Sequence, residues 1–491
     1  MRSQRPRWGR AVQNAPPLGR RHKLAYGVGQ IAEGLKNGAF ETFLLFYYNQ
    51  VLGLPGTLSG AALMIALIFD ALTDPLAGSL SDATRSRWGR RHPWMVAAAV
   101  PLGISMFALF SPPAGLGTWG LFAWLTAGAV AVRGAMTLYH VPHNALGAEL
   151  SEDYAERTRV VGYRVVFGVV GLGLAPALGF FVFLREGPDG AGIRDAAAYT
   201  AYAATLGVLM VVTVWISAFG TWSRIPFLAR AAQQPEAFSF GRLFRELRSV
   251  LVGSSFGVLF AGVILYFVLR GLQSSLGLHL NAHFWGLSSD QMGSLVFPMI
   301  IGFAIGTVVW AGLAARLEKR TIILAGTAIF SVFVVLPVLL RLLGVLPETL
   351  TPARVTGIIA ASLLIAAFGA GGSVTAFNSA MADITDEHEL RTGRRQEGIY
   401  FGAVAFAGKS SSGIGHGLAG VGLDLIAFPT NAAVGSVAPE VVRNLGILYG
   451  PGLAVLAVIA LACFSRYKLT RARFEALRQE LDARRAAAAP H

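Results

Sequence analysis

Apolar runs of twenty or more residues recur from one end of this chain to the other, and no other feature restricts its fold so severely. Each run is long enough to cross the ~30 Å hydrocarbon core of a bilayer as a helix. Hydrophobic residues make up 54% of the 491 positions and charged residues only 14%, so a soluble fold would expose more apolar surface than water tolerates. The expected fold class is an all-α integral membrane protein with twelve spans. They fall near residues 24–50, 55–82, 94–112, 117–147, 159–184, 197–222, 249–278, 289–314, 321–343, 353–382, 398–428 and 443–465.

The net charge of +14 would suit a nucleic-acid partner if it were clustered on one soluble face. It is instead sorted by side of the membrane. Of the 41 Lys and Arg residues, 31 fall in the N-terminus, the tail and the alternate loops on the same side, and only five fall in the opposite loops. That asymmetry predicts cytoplasmic N- and C-termini in a multi-pass protein of the cell membrane. The basic balance therefore reports topology, and no nucleic-acid partner is expected. The first 23 residues are basic and lack an apolar core, which predicts no cleavable leader. The single cysteine, Cys463, permits neither an internal disulfide nor a cysteine-based metal site.

The longest polar connection predicted, 223–248, carries five arginines and separates two sets of six spans. The expected organisation is a basic N-terminus (1–23), an N-terminal six-helix bundle (24–222), a central cytoplasmic loop (223–248), a C-terminal six-helix bundle (249–465) and a basic amphipathic tail (466–491). An internal repeat supports this seam. Residues 144–153, NALGAELSED, resemble residues 378–387, NSAMADITDE, and each stretch closes the fourth span of its half. Two six-helix halves repeated in parallel are the arrangement of the major facilitator fold.

Charges inside a bilayer cost about 2.5–3.5 kcal/mol each on insertion scales, which makes every one a functional candidate. The second span contains Asp70 and Asp74, four residues apart and so on one helical face, with Thr73 between them as a further candidate cation ligand and Pro75 after them. Two carboxylates that close repel unless a cation lies between them, and a sodium ion or a proton would serve. Lys409, midway along the eleventh span, is the expected fixed counter-charge. The alternative is a permanent ion pair with Lys409 that never takes up a cation. Glu33 and Lys36 on the first span are candidates for a substrate cavity or for a simple pair at helical spacing. His140 and His143 share helical spacing but have no evident third ligand, so no metal is expected beyond a transported cation. Gly302 and Gly306 predict close helix packing.

A short basic loop follows the second span, with Arg85, Arg87, Arg90 and Arg91. It is expected to meet the acidic residues Asp82, Glu149 and Asp153 at a cytoplasmic gate, besides fixing topology.

The pattern Asp70-x-x-x-Asp74-Pro-x-x-Gly78, followed by Thr84-Arg-Ser-Arg-Trp-Gly-Arg-Arg-x-Pro-Trp94, resembles the signature of the glycoside–pentoside–hexuronide:cation symporters of the major facilitator superfamily. Lys23-Leu-x-Tyr26-Gly-x-Gly29, Pro142, Arg164 and Lys409 match as well, so the resemblance spans nearly the whole chain. It implies that Asp70, Asp74 and Thr137 bind the coupling cation, that Lys409 lies near them, and that Arg164 lies near the substrate. Departures are equally informative. Where the melibiose-permease branch has two sugar-binding aspartates and a tryptophan, this chain has Gly34, His140 and Asn144, and His140 and Asn144 are thereby candidate substrate-binding residues. Glycine supplies no hydroxyl acceptor, which argues against a melibiose-type substrate. The motif around Tyr139-His-Val-Pro142 is also similar to the sodium-dependent lysophospholipid symporters of the same family. The resulting expectation is a monomeric symporter, not an enzyme, that couples Na⁺ or H⁺ to a small glycoside-type solute and needs no cofactor. The alternative is an amphipathic, lysophospholipid-like solute.

Overall fold

Among the residues described in the computed structural model of the chain, helix is found in each of the twelve apolar stretches, as it must be where lipid offers the backbone no partner. The structure describes residues 16–151, 153–187, 192–228, 255–314, 316–347, 349–392, 397–467 and 479–480, and their side chains except at 154, 255–256, 378 and 381–407. Most of the expected N-terminal segment, central loop and amphipathic tail lies outside the described residues.

Clustering by proximity divides the chain into two units, Met1–Phe238 and Ser239–His491. The first contains α1 (Arg20–Val28), α2 (Gln30–Ala39), α3 (Gly56–Ala83), α4 (His92–Leu109), α5 (Thr118–Glu149), α6 (Tyr154–Leu178) and α7 (Ala196–Gly220). The second contains α8 (Ser255–His279), α9 (Ser289–Ser294), α10 (Val296–Leu313), α11 (Lys319–Leu342), α12 (Pro352–Thr392), α13 (Glu397–Leu425) and α14 (Pro439–Ser465). Among the described residues, ten helices are long and apolar enough to cross a membrane, α9 and α10 forming one of them together. The other two expected spans are the first and the eleventh, α13.

The first span differs from the uninterrupted helix expected for 24–50. It begins at Arg20, breaks at Gly29, and continues from α2 through π-helical turns at Phe40–Leu44 and Tyr47–Val51. Wider turns of this kind re-aim side chains, and here they bury Tyr47 and Tyr48. Tyr47 donates to the Phe110 carbonyl at 3.0 Å and Tyr48 to the Leu109 carbonyl at 2.7 Å, tying the first span to the end of α4. The expected loop at 383–397 is also shorter than predicted, because α12 continues to Thr392.

In the first unit α2 packs against α6, and α5 against both α3 and α4. Glycines set the closest approach. A Cβ on Gly34 would strike the Gly168 carbonyl and come within 2.6 Å of the Leu172 nitrogen, so α2 and α6 meet backbone to backbone. In the second unit Gly302 and Gly306 do the same, against the carbonyls of Leu364 and Phe368 on α12.

Candidate functional site

Asp70 and Asp74 share one face of α3, and α5 packs across that face. Asp70 is almost fully buried, at 2% exposure, and Asp74 is half-buried. From α5 the Thr137 hydroxyl lies 2.7 Å from Asp70 Oδ1 and 3.0 Å from Asp74 Oδ1. A hydroxyl carries one hydrogen, so it can donate to only one of these oxygens at a time. Two carboxylate oxygens and a hydroxyl thus converge with one proton among them, which is the donor set a hard cation or an added proton completes. Pro75 adds to it. It has no N–H, which releases the Ala71 carbonyl one turn back from its helical partner.

Thr73 stands outside this convergence. Its hydroxyl points back along α3 to the carbonyls of Phe69, at 3.0 Å, and Asp70, at 3.2 Å. Lys409 sits half-buried on α13 in the second unit. Within the first unit Arg133 on α5 is a cation that reaches the acid pair, its Nη1 lying 3.2 Å from Asp70 Oδ2. Sequence reasoning gives Arg133 no role. The signal was present, since Arg133 is four residues before Thr137 and so projects from the same face of α5.

One turn further along α5 the residues serve a different surface. An open cavity of ≈ 390 Å³ in the first unit is lined by Gln30, Glu33, Gly34 and Asn37 of α2, His140 and Asn144 of α5, and Arg164, Val165, Gly168, Val169 and Leu172 of α6. Four of the five residues expected at the substrate are here. His140 Nε2 is 2.9 Å from Glu33 Oε2, and the Gln30 amide also donates to that carboxylate. Asn144 Nδ2 lies 3.0 Å from His140 Nε2, and Arg164 Nη1 donates to Asn144 Oδ1 at 2.6 Å. A polar chain Glu33–His140–Asn144–Arg164 therefore crosses the cavity from α2 through α5 to α6. The fifth residue, Lys36, is buried on α2 and is not among those lining the cavity.

His143 has a different environment from His140. It is fully buried, donates to the Tyr26 carbonyl at 2.9 Å, and stacks on the rings of Tyr26 and Tyr139. The two histidines do not converge, and no group of three or more metal-ligating side chains exists among the described residues.

The basic loop after α3 is clamped within its own unit. Arg90 and Arg91 both bind Glu149 Oε1, at 2.6 and 3.0 Å, and both reach Asp82 Oδ1, at 3.4 and 2.5 Å. Arg91 also donates to Ser81 Oγ at 2.6 Å. Asp153 does not join this cluster. It caps α6 by accepting from the Glu156 N–H at 2.8 Å. Arg85 lies exposed in the loop.

Bundled apolar helices with a buried acid pair at mid-helix, and a polar cavity beside it, define a transporter of the major facilitator fold rather than an enzyme. The chain belongs to the MFS/sugar transport protein family, whose model matches residues 25–471. YagG of Escherichia coli (strain K12), provisionally named a glycoside/cation symporter, is 26% identical over 482 residues, covering 95% of each chain. The sodium-dependent lysophosphatidylcholine symporter 1 of Gallus gallus is 24% identical over 479 residues, covering 91% of this chain and 86% of its own. Among solved structures, a bacterial homologue of the human lysosomal transporter Spinster, inward-facing and unoccupied, superposes with a TM-score of 0.64 at 14% identity. The match covers 97% of this chain and 98% of that one.

Proposed function

We propose that this chain is a cation-coupled symporter of a small glycoside-type solute, working by alternating access as a monomer in the cell membrane with both termini cytoplasmic. The convergence of Asp70, Thr137 and Asp74 carries the reading, because it builds a cation-accepting site into a helix that lipid would otherwise keep free of charge. Filling that site neutralises the acid pair and favours reorientation of the loaded protein, whereas an unfilled site resists it. This difference couples the two fluxes. A tenfold cation gradient supplies about 1.4 kcal/mol and a potential of 100 mV about 2.3 kcal/mol per charge, together enough to concentrate a neutral solute several-hundredfold.

The solute class follows from the cavity. Gly34 removes one acceptor, but Glu33 beside it brings a carboxylate to the same cavity, and Gln30, Asn37 and Asn144 add amides. These are groups that bind sugar hydroxyls. The name of YagG agrees with this reading. A second reading, an amphipathic solute of the lysophospholipid kind, is favoured by the apolar α6 wall of Val165, Val169 and Leu172 and by the Gallus gallus relative. No bound cofactor is needed in either case.

Uptake by the purified protein in proteoliposomes decides between them. Glycosides, pentosides, uronides and lysophospholipids are presented under imposed sodium or proton gradients. Accumulation of a glycoside-class solute supports the first reading, and accumulation of only the lysolipid supports the second. Gradient-independent equilibration of every solute would refute symport.

A further inference from the structure

The acid pair does not face an empty notch. Arg133 projects into it from α5, is 7% exposed, and donates to Oδ2 of Asp70 while Thr137 donates to Oδ1. We propose that Arg133 is a resident cation that excludes sodium and lithium from the Asp70–Asp74 site, making it a residue that determines coupling-ion specificity. The inference rests on the symport reading above, and within that reading it leaves the proton, the other coupling ion expected, as the driver.

An alkali ion held between Asp70 Oδ1, Thr137 Oγ1 and Asp74 Oδ1 would share Asp70 with the guanidinium on Oδ2. Two positive charges about 5 Å apart, at an effective dielectric of about 20, weaken binding on the order of 100-fold. Arg133 also cannot swing aside cheaply. Its Cζ sits 5.1 Å from the centre of the Phe40 ring, and its Nε is enclosed with no hydrogen-bond partner among the described residues. The carboxylates that act on its charge come from two packed elements, Asp70 and Asp74 from α3 and Glu41 from the first span. A guanidinium paired with Asp70 and lying in the field of two further carboxylates is favoured where it is, so an incoming alkali ion must compete with it. A simple structural ion pair predicts less. It would keep Arg133 and Asp70 together without regard to which ion the remaining oxygens accept.

Isothermal titration calorimetry of the purified full chain with sodium chloride and lithium chloride, against choline chloride at matched ionic strength, reads alkali-ion binding with no solute present. The expected result is no saturable binding at physiological concentrations to the wild type or to Arg133→Lys, which keeps the charge. Arg133→Gln, which keeps a donor for Asp70 but loses the charge, should bind sodium at least about tenfold more tightly than the wild type. Saturable sodium binding by the wild type would overturn the inference. So would a folded Arg133→Gln that binds sodium no better than the wild type. Should Arg133→Gln fail to fold, the wild-type and Arg133→Lys titrations still decide the matter, because binding to either refutes exclusion. Since no solute enters this measurement, absence of uptake in proteoliposomes counts against symport and not against ion exclusion by Arg133.

Discussion

Arg164 of α6 donates through Nη1 to Oδ1 of Asn144 on α5 across 2.6 Å, a short charge-assisted bond that aims the guanidinium into the cavity. The bond fixes both partners. Asn144 presents its amide to His140, which in turn meets Glu33, so one cation orders the polar chain across the cavity.

Replacement of Arg164 by alanine should therefore weaken solute binding about 10- to 100-fold, the range for loss of a hydrogen bond to a charged group, and leave coupling-ion binding within a few-fold. Separate isotherms for solute and ion check this. A larger loss for the ion than for the solute would remove Arg164 from the solute site.

The two threonines near the acid pair should differ sharply. Thr137→Val removes the hydroxyl shared by Asp70 and Asp74 and should raise the ion concentration for half-maximal uptake about tenfold. Thr73→Val removes only a bond to the carbonyls of its own helix and should change it less than about twofold. Equal effects in an ion-titrated uptake assay would contradict the assignment.

Asp74→Cys should abolish accumulation against a gradient while leaving the protein folded, since Asp74 is half-buried and its neighbour Asp70 keeps Arg133. The comparison of initial uptake with steady-state accumulation reads this directly. Full accumulation by the variant would place the coupling acid elsewhere.

Gly34→Asp, which restores the residue type of the melibiose-permease branch, should not restore its sugar binding. The new Cβ would collide with the Gly168 carbonyl on α6, so the helices must part at a cost of about 1–3 kcal/mol. A lowered thermal midpoint in detergent is expected, without gain in galactoside affinity. An unchanged midpoint would show that α2 and α6 separate easily.

The loop clamp gives a graded prediction. Glu149 joins Arg90 to the buried Arg91, so Glu149→Gln should destabilise the protein by about 1.5–3 kcal/mol, because Arg91 loses a charged acceptor while keeping Asp82 and Ser81. Asp82 is 48% exposed, and Asp82→Asn should cost less than about 1 kcal/mol. Thermal unfolding of the two variants side by side tests the order, and an equal shift would argue against a burial-dependent clamp.

Much of this site was legible in the sequence because the bilayer makes charge conspicuous. Asp70, Asp74 and Thr137 could be placed together from helical spacing and the family motif, which also put Arg164 near the substrate, whereas Glu33 could as well have paired with Lys36, and Asn144 could as well have bonded between helices. Besides the part played by Arg133, two roles were not read from the sequence. Thr73 lies between the two aspartates in sequence, yet its donor turns back onto α3, a choice of rotamer that spacing does not report. Asp153 belongs to an acidic loop, yet it caps a helix, because the first N–H groups of α6 need an acceptor.

By itself the sequence determined the class of this protein, its helices and which of its charges must matter, because hydrocarbon thickness and the cost of intramembrane charge act on each segment separately. Only the tertiary structure decided who partners whom. The packing of α5 on α3 brings Arg133 to Asp70, and the glycine contact of α2 with α6 places Glu33 beside His140 and Arg164. Both depend on the rotation and separation of neighbouring helices, and those are set by side-chain interlocking between segments distant in the chain.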